Sequence, residues 1–183
     1  VFLQEQKIIS AVRRWLEGFV IELNLCPFAK RELVNNRIRF TVSKANTVER
    51  LLVDLQEELF LLDEHKEIET TLLMHPDVLQ EFDDYNQFLD VADVLIDEQG
   101  FSGIYQIASF HPQYRFAETE DEAENYSNRS PYPVLHLLRE ESLAREIARY
   151  PGTSLIPERN IRLMREMGET KLRSILRQTI ADS

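Results

Sequence analysis

Ile8, Ile9, Val12, Trp15, Leu16, Phe19, Val20 and Leu23 recur at helical spacing and predict a first helix from about Gln4 to Leu23. Cys26-Pro27-Phe28 interrupts it. Proline is disfavoured inside a helix and favoured at its first position, so Pro27 predicts a second, short helix to about Asn35. Ile38–Val42 reads as a strand. Thr47 then caps a helix with Val48, Leu51, Leu52, Leu55 and Leu59 as its apolar stripe. Thr70–Met74 is a second strand, ending in His75-Pro76. Asp77 reads as the cap of a helix whose period runs from Val78 to Leu95 and stops at Gly100. Gly103–Phe110 is a third strand, also ending in His-Pro, at His111-Pro112. Pro133–Leu138 is a fourth. Helices are predicted over Glu141–Arg149, Glu158–Met167 and Glu169–Ala181.

This order predicts an α/β or mixed α+β fold in one domain, 1–183: a single sheet of about four strands packed against helices, with helical N- and C-termini. Strand–helix–strand units favour parallel pairing with a right-handed crossover. The third and fourth strands are separated by about 22 residues without an apolar period. A connection that long inside a compact domain is usually functional or disordered.

Composition narrows the function classes. The 183 residues are 43% hydrophobic and carry a formal net charge of −11. Residues 76–126 hold 13 acidic groups and one basic group, Arg115, so nearly all the net charge sits in the middle third. A general nucleic-acid binder needs a basic footprint, and this chain lacks one. An acidic belt suits a basic protein partner or hard cations, or simply a solvated helix face. The single cysteine excludes an internal disulfide and a four-cysteine zinc site. No apolar run approaches a membrane span and no secretory pattern opens the chain, which points to a cytoplasmic protein. No phosphate-binding glycine loop, GxSxG or HExxH pattern is present, and no cofactor is implied.

Cys26 is the first candidate for chemistry. As the cap before Pro27 it would face unpaired backbone N–H groups, which lower a thiol pKa. The bland alternative is a small buried filler. His75 and His111 each close a predicted strand. If both strands run the same way, both imidazoles stand at the sheet end where ligands bind, as general base or anion contact. The alternative is that they bond local backbone. Asn128-Arg129-Ser130-Pro131-Tyr132-Pro133 closes the long connection. Arg129 offers a planar fork for a carboxylate or phosphate, Asn128 and Ser130 add neutral partners, and the prolines stiffen the turn. Tyr132 and Arg139 complete the candidate substrate contacts. If the fourth strand is antiparallel to the third, this turn meets His111 at one sheet end. His136 shares a face with Val134 and Leu138. With His75, His111 and Cys26 it forms a conceivable metal set, though no short ligand pair supports it.

The stretches Asn24–Ala29, Thr71–Pro76, Gln106–Pro112, Asn128–Pro133 and His136–Glu140 resemble a bacterial family catalogued as a domain of unknown function, number 1415. The resemblance covers nearly the whole chain and implies no activity.

Three readings follow. The favoured one is an enzyme acting on a small anionic metabolite by hydrolysis or acyl transfer. Cys26 is its nucleophile, His75 or His111 its base, and Asn128 and Arg129 its anion contacts. The second is a metal-binding protein using His75, His111 and Cys26 or His136. The third is a non-catalytic module whose acidic middle, including Asp83, Asp84 and Asp90, faces a basic partner.

Overall fold

A computed structural model describes residues 2–119 and 122–181. The first helix, α1 (Phe2–Trp15), passes directly into a π-helical turn, Leu16–Ile21. The chain continues through α2 (Ala29–Val34), β1 (Ile38–Val42), α3 (Val48–Glu64), β2 (Thr70–Met74), α4 (Phe82–Glu98) and β3 (Tyr105–Phe110). It then forms a 3-10 helix, Ala123–Asn128, followed by β4 (Val134–Arg139), α5 (Glu140–Arg149), a 3-10 turn at Thr153–Leu155, α6 (Ile156–Met167) and α7 (Glu169–Ala181).

The four strands form one sheet in the order β1-β2-β4-β3. β1 and β2 are parallel and joined through α3, whereas β4 is antiparallel to both β2 and β3. The fold is therefore mixed α+β. β2 and β3 run the same way, so His75 and His111 do stand at the same end of the sheet, as does the turn that enters β4.

Period-2 alternation gives each strand two faces. Leu73, Leu135, Leu137 and Tyr105 face α3 and α4, where Leu51, Leu55, Leu59, Tyr85 and Phe88 fill the core. Leu72, Met74 and Val134 face the other way, against Ile8, Val12, Trp15 and Phe19, and against Met164 and Leu172 from α6 and α7. No helix among the described residues is long and apolar enough to cross a membrane.

Three boundaries that bear on the site differ from the sequence expectation. The apolar period of α1 continues past Trp15, but the bonding does not: Glu22 N–H reaches Glu17 O at 3.2 Å and Leu25 N–H reaches Val20 O at 2.8 Å, both five residues back. Such π segments concentrate at functional sites. α2 starts at Ala29, with Cys26-Pro27-Phe28 a turn before it. α4 starts at Phe82, with Glu81 rather than Asp77 as its cap residue. Residues 76–81 are instead drawn into a loop by the two strand-end histidines. The Thr47 cap is as expected, its hydroxyl accepting from Arg50 N–H at 3.3 Å.

Candidate functional site

His75 and His111 are both fully buried, on the α4 face. His75 Nδ1–H donates to Val78 O at 2.9 Å, and the ring stacks on Tyr85. His111 Nε2–H donates to Leu79 O at 3.1 Å, while its Nδ1 accepts from Gln113 N–H at 3.0 Å. Together they clamp residues 76–81, where Leu79 adopts a positive φ of 56°. Burial lowers both pKa values, that of His75 to about 4, so both rings are neutral. Tyr85 lies between them and sews the same sheet end, accepting from Phe110 N–H and donating to Val134 O at 2.7 Å.

The Asn128–Pro133 turn lies near that end, but its side chains are engaged with backbone. Asn128 Nδ2 donates to Ser109 O at 3.1 Å. Arg129 Nε donates to Tyr114 O at 3.1 Å, with its guanidinium over the Tyr126 ring. Ser130, fully buried, donates to Tyr132 O at 2.6 Å, and Tyr132 packs on the α1 side of the sheet. Arg129 and Ser130 line an open groove with Arg115, Arg173 and Arg177.

Cys26 lies elsewhere. It packs into the core on the α1 face, so the sheet separates it from His75 and His111. It lines a cavity of about 500 Å³ together with Trp15, Leu16 and Val20 from the end of α1 and its π turn, and with Leu72, Phe110 and His136 from the sheet. Backbone N–H groups of Phe28 and Ala29 point at the thiol, as a cap would arrange, but burial outweighs them and the thiol pKa is raised. The expected activated thiolate is thus corrected to a neutral thiol at rest.

His136 is the polar centre of this cavity. Its Nε2 is 2.7 Å from Thr70 Oγ1, and that hydroxyl stands 2.5 Å from Leu137 O. A carbonyl only accepts, so the single Thr70 proton goes to Leu137. His136 Nε2 must then carry the ring proton and donate to Thr70. Among the described residues none hydrogen-bonds the Nδ1 lone pair, and the His136 ring lines the cavity. The partial exposure of His136 is into this apolar space, and desolvation pulls its pKa to about 4.

Arg139 also lines the cavity, yet its guanidinium is committed to the end of α3 and the residues beyond it. It donates to Leu62 O at 2.5 Å, Ile68 O at 2.8 Å, His65 O at 3.2 Å and Tyr105 Oη at 3.1 Å. That arrangement satisfies carbonyls that a helix C-terminus leaves unpaired. The mouth carries ion pairs that sequence reasoning missed. Arg31 bridges two buried carboxylates, Glu32 at 2.7 Å and Glu146 at 2.8 Å, and Arg37 holds Glu69 at 2.6 Å. Charged residues scattered over α2, α5 and the positions just before β1 and β2 gave no local signal that they would meet.

The four conceivable metal ligands are therefore divided between two faces. Among the described residues no group of three or more His, Cys, Asp or Glu side chains is placed to hold a metal ion. The acidic residues Asp83, Asp84 and Asp90 are exposed along α4.

Neither the curated proteins nor the solved structures include a match to this chain. The model of the family described as "Protein of unknown function (DUF1415)" matches residues 7–174, and the chain belongs to that family.

Proposed function

We propose that the protein is an enzyme acting on a small anion with an apolar body, bound in the cavity at the π turn, by hydrolysis or acyl transfer. The observation that carries this reading is His136: a neutral imidazole with its tautomer set by Thr70, lining the same cavity as the one thiol. An apolar chamber with a few convergent polar groups is the usual form of a small-molecule site.

His136 takes the base role in place of His75 and His111: His75 keeps a bare Nε2 but is fully buried on the other face of the sheet from Cys26, and both ring nitrogens of His111 are bonded to backbone. Cys26 and His136 are both uncharged at rest. The nucleophile forms as Sγ attacks the substrate carbonyl and its proton passes to Nδ1. The N–H groups of Phe28 and Ala29 then stabilise the charge that develops on sulfur. Attack breaks the bond to the leaving group, which takes the proton from Nδ1. Water or an acceptor nucleophile releases the acyl group from sulfur.

An activated octanoyl ester, p-nitrophenyl octanoate, tests this by intact mass. The expected result is one octanoyl adduct, absent in Cys26→Ala and formed at least tenfold more slowly in His136→Gln. The absence of an adduct on folded wild-type protein would overturn the assignment of Cys26 as nucleophile. An adduct formed equally fast in His136→Gln would overturn the assignment of the base.

A further inference from the structure

We infer that α5 is a lid over this cavity, latched by the Arg31–Glu146 ion pair, and that Arg145 and Arg149 on it form the subsite for the ligand's anionic head group. The inference rests on the cavity being the ligand site.

A helix that belongs to a core buries an apolar stripe. The only buried residue of α5 is Glu146, and Ile147 is 57% exposed. The side chains it turns inward line the cavity instead. Two contacts tie it across the cavity to the Cys26–Glu32 segment. One is the Arg31–Glu146 pair at 2.8 Å. The other is an edge-to-face contact of Tyr150, just past α5, with Phe28 at 5.4 Å between ring centres. An ion pair whose arginine is about half exposed opens more readily than a packed apolar seam.

The two ends of α5 differ in the way a hinged element requires. Its start follows β4 with no intervening loop, and Arg139 anchors that junction to the carbonyls of Leu62 in the last turn of α3 and of His65 and Ile68 beyond it. Its end runs into Tyr150-Pro151-Gly152, with Gly152 at a positive φ of 87° that suits glycine alone. The N-terminal end is the pivot and the C-terminal end is the part that lifts.

The charges at the mouth indicate what closes the lid. The lining holds five arginines, Arg31, Arg37, Arg139, Arg145 and Arg149, against three glutamates, Glu32, Glu69 and Glu146. Arg31 and Arg37 hold those glutamates closely, and Arg139 is committed to carbonyls. Arg145 and Arg149 stand 3.7 Å and 3.6 Å from their nearest carboxylate oxygens, with side chains 53% and 62% exposed, and Arg145 otherwise donates only to the Ser142 hydroxyl, at 3.0 Å. They are four residues apart on one helix face, so one carboxylate or phosphate monoester reaches both. Its apolar body then lies over Trp15, Leu16 and Phe110.

Cys26 lies beneath the lid and is the only cysteine, so its alkylation rate by iodoacetamide at fixed pH reads lid opening. Glu146→Gln and Arg31→Met are expected to raise that rate roughly tenfold. The charge swap R31E/E146R is expected to bring it back toward wild type. Near-UV circular dichroism confirms that each variant is folded. Sodium octanoate and octyl phosphate, run as separate arms, distinguish carboxylate from phosphate. At least one is expected to slow alkylation several-fold, octanol much less, and R145A/R149A should abolish the difference. Unchanged rates in folded Glu146→Gln and Arg31→Met would overturn the latch. Equal protection by octanol and by both anions, or anion protection that survives R145A/R149A, would overturn the subsite. Faster alkylation in Glu146→Gln with no protection by any probe would support the lid but sink the cavity as a ligand site, and the subsite with it.

Discussion

Thr70 Oγ1 stands between His136 Nε2 and Leu137 O, at 2.7 Å and 2.5 Å, and this one hydroxyl decides which ring nitrogen carries the proton. Thr70→Ser keeps the hydroxyl and should keep the tautomer. Thr70→Val removes the acceptor and leaves a buried N–H unpaired, at a cost of about 1–3 kcal/mol. Nitrogen-15 chemical shifts of His136 check this. The wild type should show a protonated Nε2 and a bare Nδ1 near neutral pH, and the valine variant a mixture. A bare Nε2 in the wild type would refute the relay.

Acid should destabilise the fold earlier than its carboxylates require. His75 and His136 are each held at about 4 by burial, against an ordinary value of 6.5. The unfolded chain therefore takes up these protons first. The stability that the neutral rings confer is intact above about pH 6.5 and is lost as pH falls toward 4, by up to about 1.4 kcal/mol per pH unit for each ring. Urea unfolding at about pH 7, 6 and 5 measures the slope. His136→Gln should remove its share, and a flat profile across that window would contradict the burial of both rings.

Arg139 should matter more for stability than a partly buried arginine usually does. It binds the carbonyls of Leu62, His65 and Ile68 and the Tyr105 hydroxyl. Arg139→Ala is expected to cost roughly 2–3 kcal/mol. Lysine, with one point charge in place of a fork, should recover only part of it. Chemical denaturation of the two variants gives the comparison, and equal stability of lysine and arginine would argue against the forked clamp.

The Cys26 thiol should ionise late. Burial raises its pKa from the ordinary 9.0 despite the N–H groups of Phe28 and Ala29. The alkylation rate of wild-type protein should climb with pH and still be climbing, without a plateau, past the ordinary thiol value of 9.0. A plateau reached near neutral pH would mean that the N–H groups outweigh burial.

Much of the site reading depended on which face of the sheet each residue takes. His75 and His111 were recognisable from two His-Pro strand ends, and their common sheet end followed once β2 and β3 were parallel in direction. Their bonding to Val78 O and Leu79 O was not legible, because it depends on a loop conformation that moves the start of α4 from Asp77 to Phe82. Cys26 was legible as a thiol near backbone N–H groups. Its burial, which reverses the direction of its pKa shift, depends on packing by residues distant in sequence. His136 was read as partly buried on the face of Val134 and Leu138, and this is where it lies. Its importance came only with Thr70, 66 residues away.

The sequence by itself determined the main helices and strands, their order and a class of α/β or mixed α+β, because hydrophobic period, prolines and caps act over a few residues. It also determined that one cysteine, four histidines and a strongly acidic middle were the available chemistry. Only the tertiary structure decided that Cys26 and His136 share one cavity while His75 and His111 are buried on the other face of the sheet. That choice is made by strand pairing, which brings β4 between β2 and β3 and assigns every second side chain to one face. The partners of Glu32 and Glu146 were decided the same way, since an ion pair between α2 and α5 forms only after the sheet has brought both helices to one rim.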